Sequence, residues 1–237
     1  MADWAPKRFW KAAEAVETAE GWTVRLDGRA VKTPAKAALL LPSRAFAEAV
    51  AGEWDAQVET VDPATMPLTR LANSAIDNVA HQHAAVAAML SEYGGTDLLC
   101  YRAEAPADLA DAQGAAWDPL LIWSAGQFGA PLDTGAGVMH LPQPPASLAA
   151  LAAEVHALDA FELSAFHDLV TISGSLVIAL AVIHGAITPH DAWTASRIDE
   201  DWQARQWGED EEAAAIAALK REAFLTAHRA FTLIRAI

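Results

Sequence analysis

Trp22-Thr23-Val24-Arg25-Leu26, then Asp27-Gly28, then Arg29-Ala30-Val31-Lys32-Thr33 is the stretch whose reading decides the fold. Apolar and polar side chains alternate before Asp27-Gly28, and that dipeptide supplies the positive φ angles of a type I′ turn. The stretch therefore predicts a β-hairpin. Pro34 ends it. Outward from there, residues 38–41 (Ala-Leu-Leu-Leu) predict a further strand, and Pro42-Ser43 offers an N-cap for a helix over 44–57. Phe46, Val50 and Trp54, four apart, mark one face of that helix. Residues 58–61 (Val-Glu-Thr-Val) predict a returning strand before Pro63. These elements make a small α+β domain over residues 1–67.

From residue 68 onward the periodicity is helical. Leu68, Leu71, Ala72, Ala75, Ile76 and Val79 predict a helix over 68–80, and another covers 84–93 with Gly94-Gly95 as its stop. Residues 97–101 read as a short extended or turn segment. A long helix over 107–128 contains Pro119, which predicts a bend. The Gly- and Pro-rich stretch 129–145 is the longest loop, and helices follow over 146–158, 160–184, 189–206 and 210–235. The expected fold class is thus α+β, a small N-terminal domain with a β-hairpin followed by a larger all-helical domain over 68–237.

One segment imitates a membrane span. Residues 169–187, LVTISGSLVIALAVIHGAI, carry no formal charge. Asp168 and Asp191 flank them, and no Lys or Arg lies between Arg102 and Arg197, so positive-inside anchoring is missing. A helix apolar all round and lacking such anchors is expected in the middle of a bundle, with no membrane insertion. The first residues show no apolar signal region either.

Composition excludes other classes. Among 237 residues, 53% are apolar and 20% charged, which is enough to build a core. Sixteen Lys and Arg against thirty-one Asp and Glu leave a net charge of −15, the wrong sign for nucleic acid or an anionic membrane. The charge is uneven: residues 1–72 hold 9 basic and 10 acidic side chains, and residues 73–237 hold 7 and 21. The single Cys100 allows no internal disulfide and no cysteine metal site, so a reducing compartment is expected.

Catalytic patterns are sparse. The eight histidines show no HExxH spacing, and His81 and His83, two apart, point to different sides of a helix. No metal and no cofactor is expected. GxGxxG and GxxxxGK[ST] are both missing, and Ser173-Gly174-Ser175 lies inside the apolar run without a GxSxG turn. Its small residues are expected to let a neighbouring helix approach closely. The dense polar feature is acidic: Asp199-Glu200-Asp201, then Trp207-Gly208-Glu209-Asp210-Glu211-Glu212, with Trp202 between. One reading is local, with Gly208 ending a helix, Asp210 capping the next, and Glu211 and Glu212 favoured by its dipole. Another is a partner-binding surface of carboxylates and amphipathic rings. A third is an enzyme using the carboxylates from Asp199 to Glu212 as acids and bases. Nine tryptophans exceed what a core of this size needs, so some are expected to be exposed.

Several strings, in order, resemble one family. They are Lys7-Arg8-Phe9-Trp10-Lys11, Leu26-Asp27-Gly28-Arg29 with Lys32-Thr33-Pro34, Glu53-Trp54 with Gln57, and Met66-Pro67-Leu68-Thr69-Arg70-Leu71-Ala72-Asn73 leading to Ala75-Ile76-Asp77. Thr96-Asp97-Leu98-Leu99-Cys100-Tyr101-Arg102, Gln113, Trp117-Asp118-Pro119-Leu120-Leu121, Gly174-Ser175 and Trp207-Gly208-Glu209-Asp210-Glu211-Glu212 continue the series. Together they resemble the ATP12-type assembly chaperones, which act on the alpha subunit of the ATP synthase F(1) sector.

The resemblance implies an N-terminal α+β domain, a C-terminal orthogonal helix bundle, and a chaperone without catalysis. Such a protein would hold an unassembled alpha subunit, shield the surface that later meets a beta subunit, and leave as the ring forms. Trp54, Trp207, Glu209, Asp210, Glu211 and Glu212 are the candidate contact residues, and Trp54 also fits the buried face of its helix. A monomer in a bacterial cytoplasm is expected, since a mitochondrial, matrix-located member would carry a longer basic N-terminal extension. A general holdase, binding unrelated clients, is the remaining alternative.

Overall fold

A computed structural model describes residues 7–236. The hairpin is there: β2 (Gly21–Leu26) and β3 (Arg29–Ala30) pair antiparallel through Arg25↔Ala30 and Leu26↔Arg29. Between them Asp27 and Gly28 take φ of 47° and 81°, the left-handed pair a type I′ turn requires. A strand not predicted from sequence, β1 (Ala13–Thr18), lies on the other side of β2, in register from Ala13↔Leu26 to Thr18↔Gly21. Its Ala and Glu residues are poor strand formers, and pairing with β2 overrides them.

The two further strands expected here are reduced to single bridges, Trp22↔Leu41 and Lys32↔Ala38 for 38–41 and Lys7↔Thr60 for 58–61. Around 58–61 a side chain replaces the ladder. Gln57 accepts from the Asp62 amide at 2.7 Å and donates to the Thr65 hydroxyl at 3.0 Å. Val58 is 83% exposed, and Val61 alone of the segment is buried.

Helix α1 (Arg44–Asp55) starts where its cap predicts, with the Ser43 hydroxyl accepting from the Phe46 amide at 3.0 Å. It packs on β1 and β2, burying Phe46, Ala47, Val50 and Ala51. Full burial of side chains such as Val50 contributes about 1.5–3 kcal/mol each. Next come α2 (Pro67–Ser74), a π-helical turn (Ala75–Val79) and α3 (Ala80–Ser91), whose Gln82 leaves helical geometry at φ −129°, ψ 23°.

The chain forms two compact units. The first holds residues 7–83, 159–165 and 229–236, and the second holds 84–158 and 166–228. The division read from sequence at 67/68 assigns α2 to the helical domain, whereas α2 packs in the first unit. The reason is Glu53: its carboxylate accepts from the Leu68 and Thr69 amides and the Thr69 hydroxyl, each at 2.7 Å, and so caps α2. Two later segments join the same unit. Phe161 stacks edge-on to Phe46 at 6.2 Å, and Arg235 pairs with Glu162 at 2.6 Å.

The second unit is built mainly of helices. A 3-10 turn (Leu98–Cys100) leads into β4 (Tyr101–Arg102), which pairs in parallel with β5 (Gly135–Ala136) of the long loop. Helix α4 (Ala107–Phe128) runs through Pro119 and buries Trp117, whose Nε1–H donates to the Ala195 carbonyl at 2.7 Å. Then follow α5 (Pro145–His156), α6 (Ala160–Ser173), α7 (Leu176–Ile183), α8 (Pro189–Ala195), α9 (Ile198–Trp207) and α10 (Glu211–Ile234). α7 packs against α4 and α8 and is buried from Leu176 to Val182.

Two predicted helices are split. The expected helix over 160–184 breaks at Gly174, which takes φ 70°, and Ser175 caps α7 by accepting from the Ile178 amide at 3.0 Å. The close-approach role expected for these small residues is corrected accordingly, because a Cβ on Gly174 would meet nothing within 4 Å. It is the backbone turn that requires the glycine. The expected helix over 189–206 breaks at Ser196 and Arg197, where the Ser196 hydroxyl turns back to the Trp193 carbonyl at 2.8 Å. Among the described residues, no helix is long and apolar enough to cross a membrane.

Candidate functional site

The acidic segment forms the junction of α9 and α10. Asp199, Glu200 and Asp201 occupy the first turn of α9, where the helix dipole favours negative charge. Asp199 accepts from the Gln113 amide at 2.5 Å, and Arg197 faces Glu200 at 3.4 Å and Asp201 at 3.7 Å. At the other end of α9, Gly208 takes φ 96° and donates to the Ala204 carbonyl at 2.9 Å, which stops the helix. Asp210 then caps α10, accepting from the Ala213 amide at 2.8 Å, and Glu211 and Glu212 fill the first turn.

Local capping thus accounts for Gly208 and Asp210, and in part for Glu211 and Glu212. It does not account for the tryptophans. Trp202 donates to Asp108 at 3.3 Å and meets Trp207 edge-on at 5.8 Å, and Trp207 is 76% exposed. Glu209, Asp210, Glu211 and Glu212 are all exposed. Among the described residues, none of the four carboxylates forms an ion pair.

α10 extends this surface in a way the sequence reading missed. From residue 211 to 223 no side chain is buried; the first that is buried is Phe224. Ile216 and Leu219, one turn apart, are exposed, Leu219 by 73%. The stretch Ala213-Ala214-Ala215-Ile216-Ala217-Ala218-Leu219 is rich in the strongest helix former, which favours helix where little packs on it. The signal was in the sequence, since a helical turn apolar on every side is normally buried or waits for a partner.

Trp54 belongs to the first unit, and Trp207 and residues 209–212 belong to the second. Its ring is half-buried and packs edge-on to Trp10 at 5.4 Å, and its carbonyl accepts from Trp10 Nε1 at 3.3 Å. Trp54 Nε1 is itself buried without a hydrogen-bond partner among the described residues. Trp54 lines a groove of about 250 Å³ together with Phe9, Trp10, Val31 and the cations Lys7, Arg29 and Lys32.

The chemistry open to the acidic segment follows from its exposure. Solvated carboxylates attract cationic surfaces, whereas general acid work asks for a desolvated one. Burial instead pushes up the carboxyl of Asp97, which is 0% exposed and accepts from Ser175 Oγ (2.7 Å) and from the Val177 and Leu99 amides (3.0 Å each). Those bonds commit Asp97 to holding the 3-10 turn and the start of α7. Nearby Cys100 is also buried, and its thiol is pushed up to about 12 by desolvation and then by the Asp97 charge. Among the described residues, no three His, Cys, Asp or Glu side chains gather as metal ligands would.

Comparison with known proteins returns a consistent set. The family described as ATP12 chaperone protein matches residues 7–125. The crystal structure of Atp12 from Paracoccus denitrificans superposes with a TM-score of 0.94 at 51% identity, covering 97% of this chain and 99% of that one. A solved protein of Agrobacterium tumefaciens gives a TM-score of 0.90 at 41% identity, covering 97% and 85%. Mitochondrial atp12 of Schizosaccharomyces pombe is 26% identical over 220 residues, spanning 87% of this chain and 75% of that one.

Proposed function

The chain belongs to the ATP12 chaperone family, and we propose that it serves assembly of the ATP synthase F(1) sector by binding the unassembled alpha subunit. It covers the flank that later meets a beta subunit, performs no catalysis, and acts as a monomer in a bacterial cytoplasm.

The observation that carries this reading is the exposed surface at the α9–α10 junction. Trp207 and Leu219 present apolar area to solvent beside unpaired carboxylates, and no side chain from 211 to 223 is buried. An orphan subunit exposes an apolar patch that would otherwise aggregate. Aromatic anchors inside a charged rim suit an interface of that kind. The carboxylates at 209–212 steer a cationic client surface toward the anchors and set its orientation. Release needs only that a beta subunit compete for the same flank, so no nucleotide is consumed. Trp54 is the proposed contact residue of the first unit.

The test is capture of purified alpha subunit by the immobilised chain, with the Glu211→Lys, Glu212→Lys pair beside it. Capture weakened about tenfold by the pair with little change in Tm supports the reading. Failure to bind the alpha subunit, or equal suppression of aggregation for unrelated clients, overturns it, the second outcome in favour of a general holdase.

A further inference from the structure

We infer that the groove of the first unit binds an extended acidic segment of a partner protein, one that sets an aromatic or aliphatic side chain among carboxylates. Its floor is aromatic. Phe9, 65% exposed, stands edge-on to Trp10 at 5.2 Å, and Trp10 packs on Trp54. Its rim is cationic. Lys7, Arg29 and Lys32 line the groove and are exposed, in a chain whose net charge is −15. Among the described residues, none of the three forms an ion pair.

The turn carboxylate Asp27 is engaged by backbone amides and keeps its charge, part of which acts on Arg29. Asp27 accepts from the Lys11 amide at 3.0 Å and the Ala12 amide at 3.0 Å, and those backbone bonds hold it below the usual carboxylate range. The groove thus joins an apolar floor to three exposed cations, with Asp27 a partial counter-charge to Arg29 alone among them. A purely apolar ligand would leave the three cations unused, and a bare anion would leave Phe9 in water. A segment combining both chemistries satisfies both. This adds a ligand chemistry to the reading of Trp54 given above and does not depend on residues 209–212.

The probe is the fluorescein-labelled hexapeptide Asp-Glu-Phe-Leu-Glu-Asp, titrated with the full chain and followed by anisotropy. Saturable binding is expected, weaker by about tenfold or more for the amide analogue Asn-Gln-Phe-Leu-Gln-Asn and for the Arg29→Glu, Lys32→Glu variant. Added salt should weaken it as well. Phe9→Ala, at an exposed position, should lower affinity with Tm unchanged. The Glu211→Lys, Glu212→Lys variant should bind the peptide like the parent chain. No saturable binding, equal binding of the acidic and amide peptides, or indifference to charge reversal at Arg29 and Lys32 overturns the inference. The alpha-subunit reading, probed through residues 209–212, would survive that result.

Discussion

The hydroxyl of Ser175 donates to the carboxylate of Asp97 at 2.7 Å across 78 residues of sequence. The same carboxylate accepts from the Val177 amide and the Leu99 amide, so one side chain ties the start of α7 to the 3-10 turn before β4. Asp97→Asn replaces one acceptor oxygen by a donor and leaves a buried amide or hydroxyl unpaired. A loss of about 1–3 kcal/mol is expected, read by urea denaturation at neutral pH.

The pH dependence of that loss has a definite sign. Burial raises the carboxyl of Asp97 above its ordinary value of 3.8. Between the unfolded and folded values the native chain binds more protons, so its stability falls as pH rises through that window. The advantage of the parent over Asp97→Asn should be largest near the unfolded value, shrink as pH climbs through the raised folded value, and level off above it. A flat difference across acidic pH would contradict the burial argument.

Gly174 offers a test free of packing. A Cβ there meets nothing within 4 Å, while φ is 70°. Gly174→Ala should therefore cost about 1–2 kcal/mol from the left-handed backbone alone. Thermal melts of the variant should show a lower Tm with an unchanged near-UV spectrum. Were the residue small to admit a neighbouring helix, the tertiary signal would change too.

Glu53 caps α2 with both oxygens, and its three partners lie 2.7 Å away. Glu53→Ala should destabilise the chain by about 1–3 kcal/mol. Hydrogen exchange should localise the loss to the first turn of α2.

The acidic junction separates stability from binding. Asp210→Ala removes the α10 cap and should cost about 1 kcal/mol. Trp207→Ala and Leu219→Ala, at positions 76% and 73% exposed, should change stability by less than about 0.5 kcal/mol. They should nevertheless reduce capture of the alpha subunit. Calorimetry paired with a binding assay distinguishes the two classes.

How much of this was legible beforehand depended on whether a local rule decided the matter. The turn at Asp27-Gly28 and the Ser43 cap were legible, because each rests on a few bonds between sequence neighbours. β1 was not, since its Ala and Glu residues join a sheet only through pairing with β2. The break at Gly174 was hidden by continuous hydrophobicity on both sides, and the turn is held by Asp97, far away in sequence. The acids at 209–212 stood out by density. Ile216 and Leu219 did not, because periodicity tells which side chains are apolar and not whether anything lies over them.

The bare opening turns of α10 also bear on how a client could be gripped. With no buried side chain before Phe224, amide protons in these turns should exchange with heavy water by fraying from the amino end, well ahead of the rest of the helix. A bound subunit would slow that exchange by serving as the neighbour these turns lack. Part of the binding energy then goes into winding the docking helix, which leaves a grip loose enough for a competitor to undo.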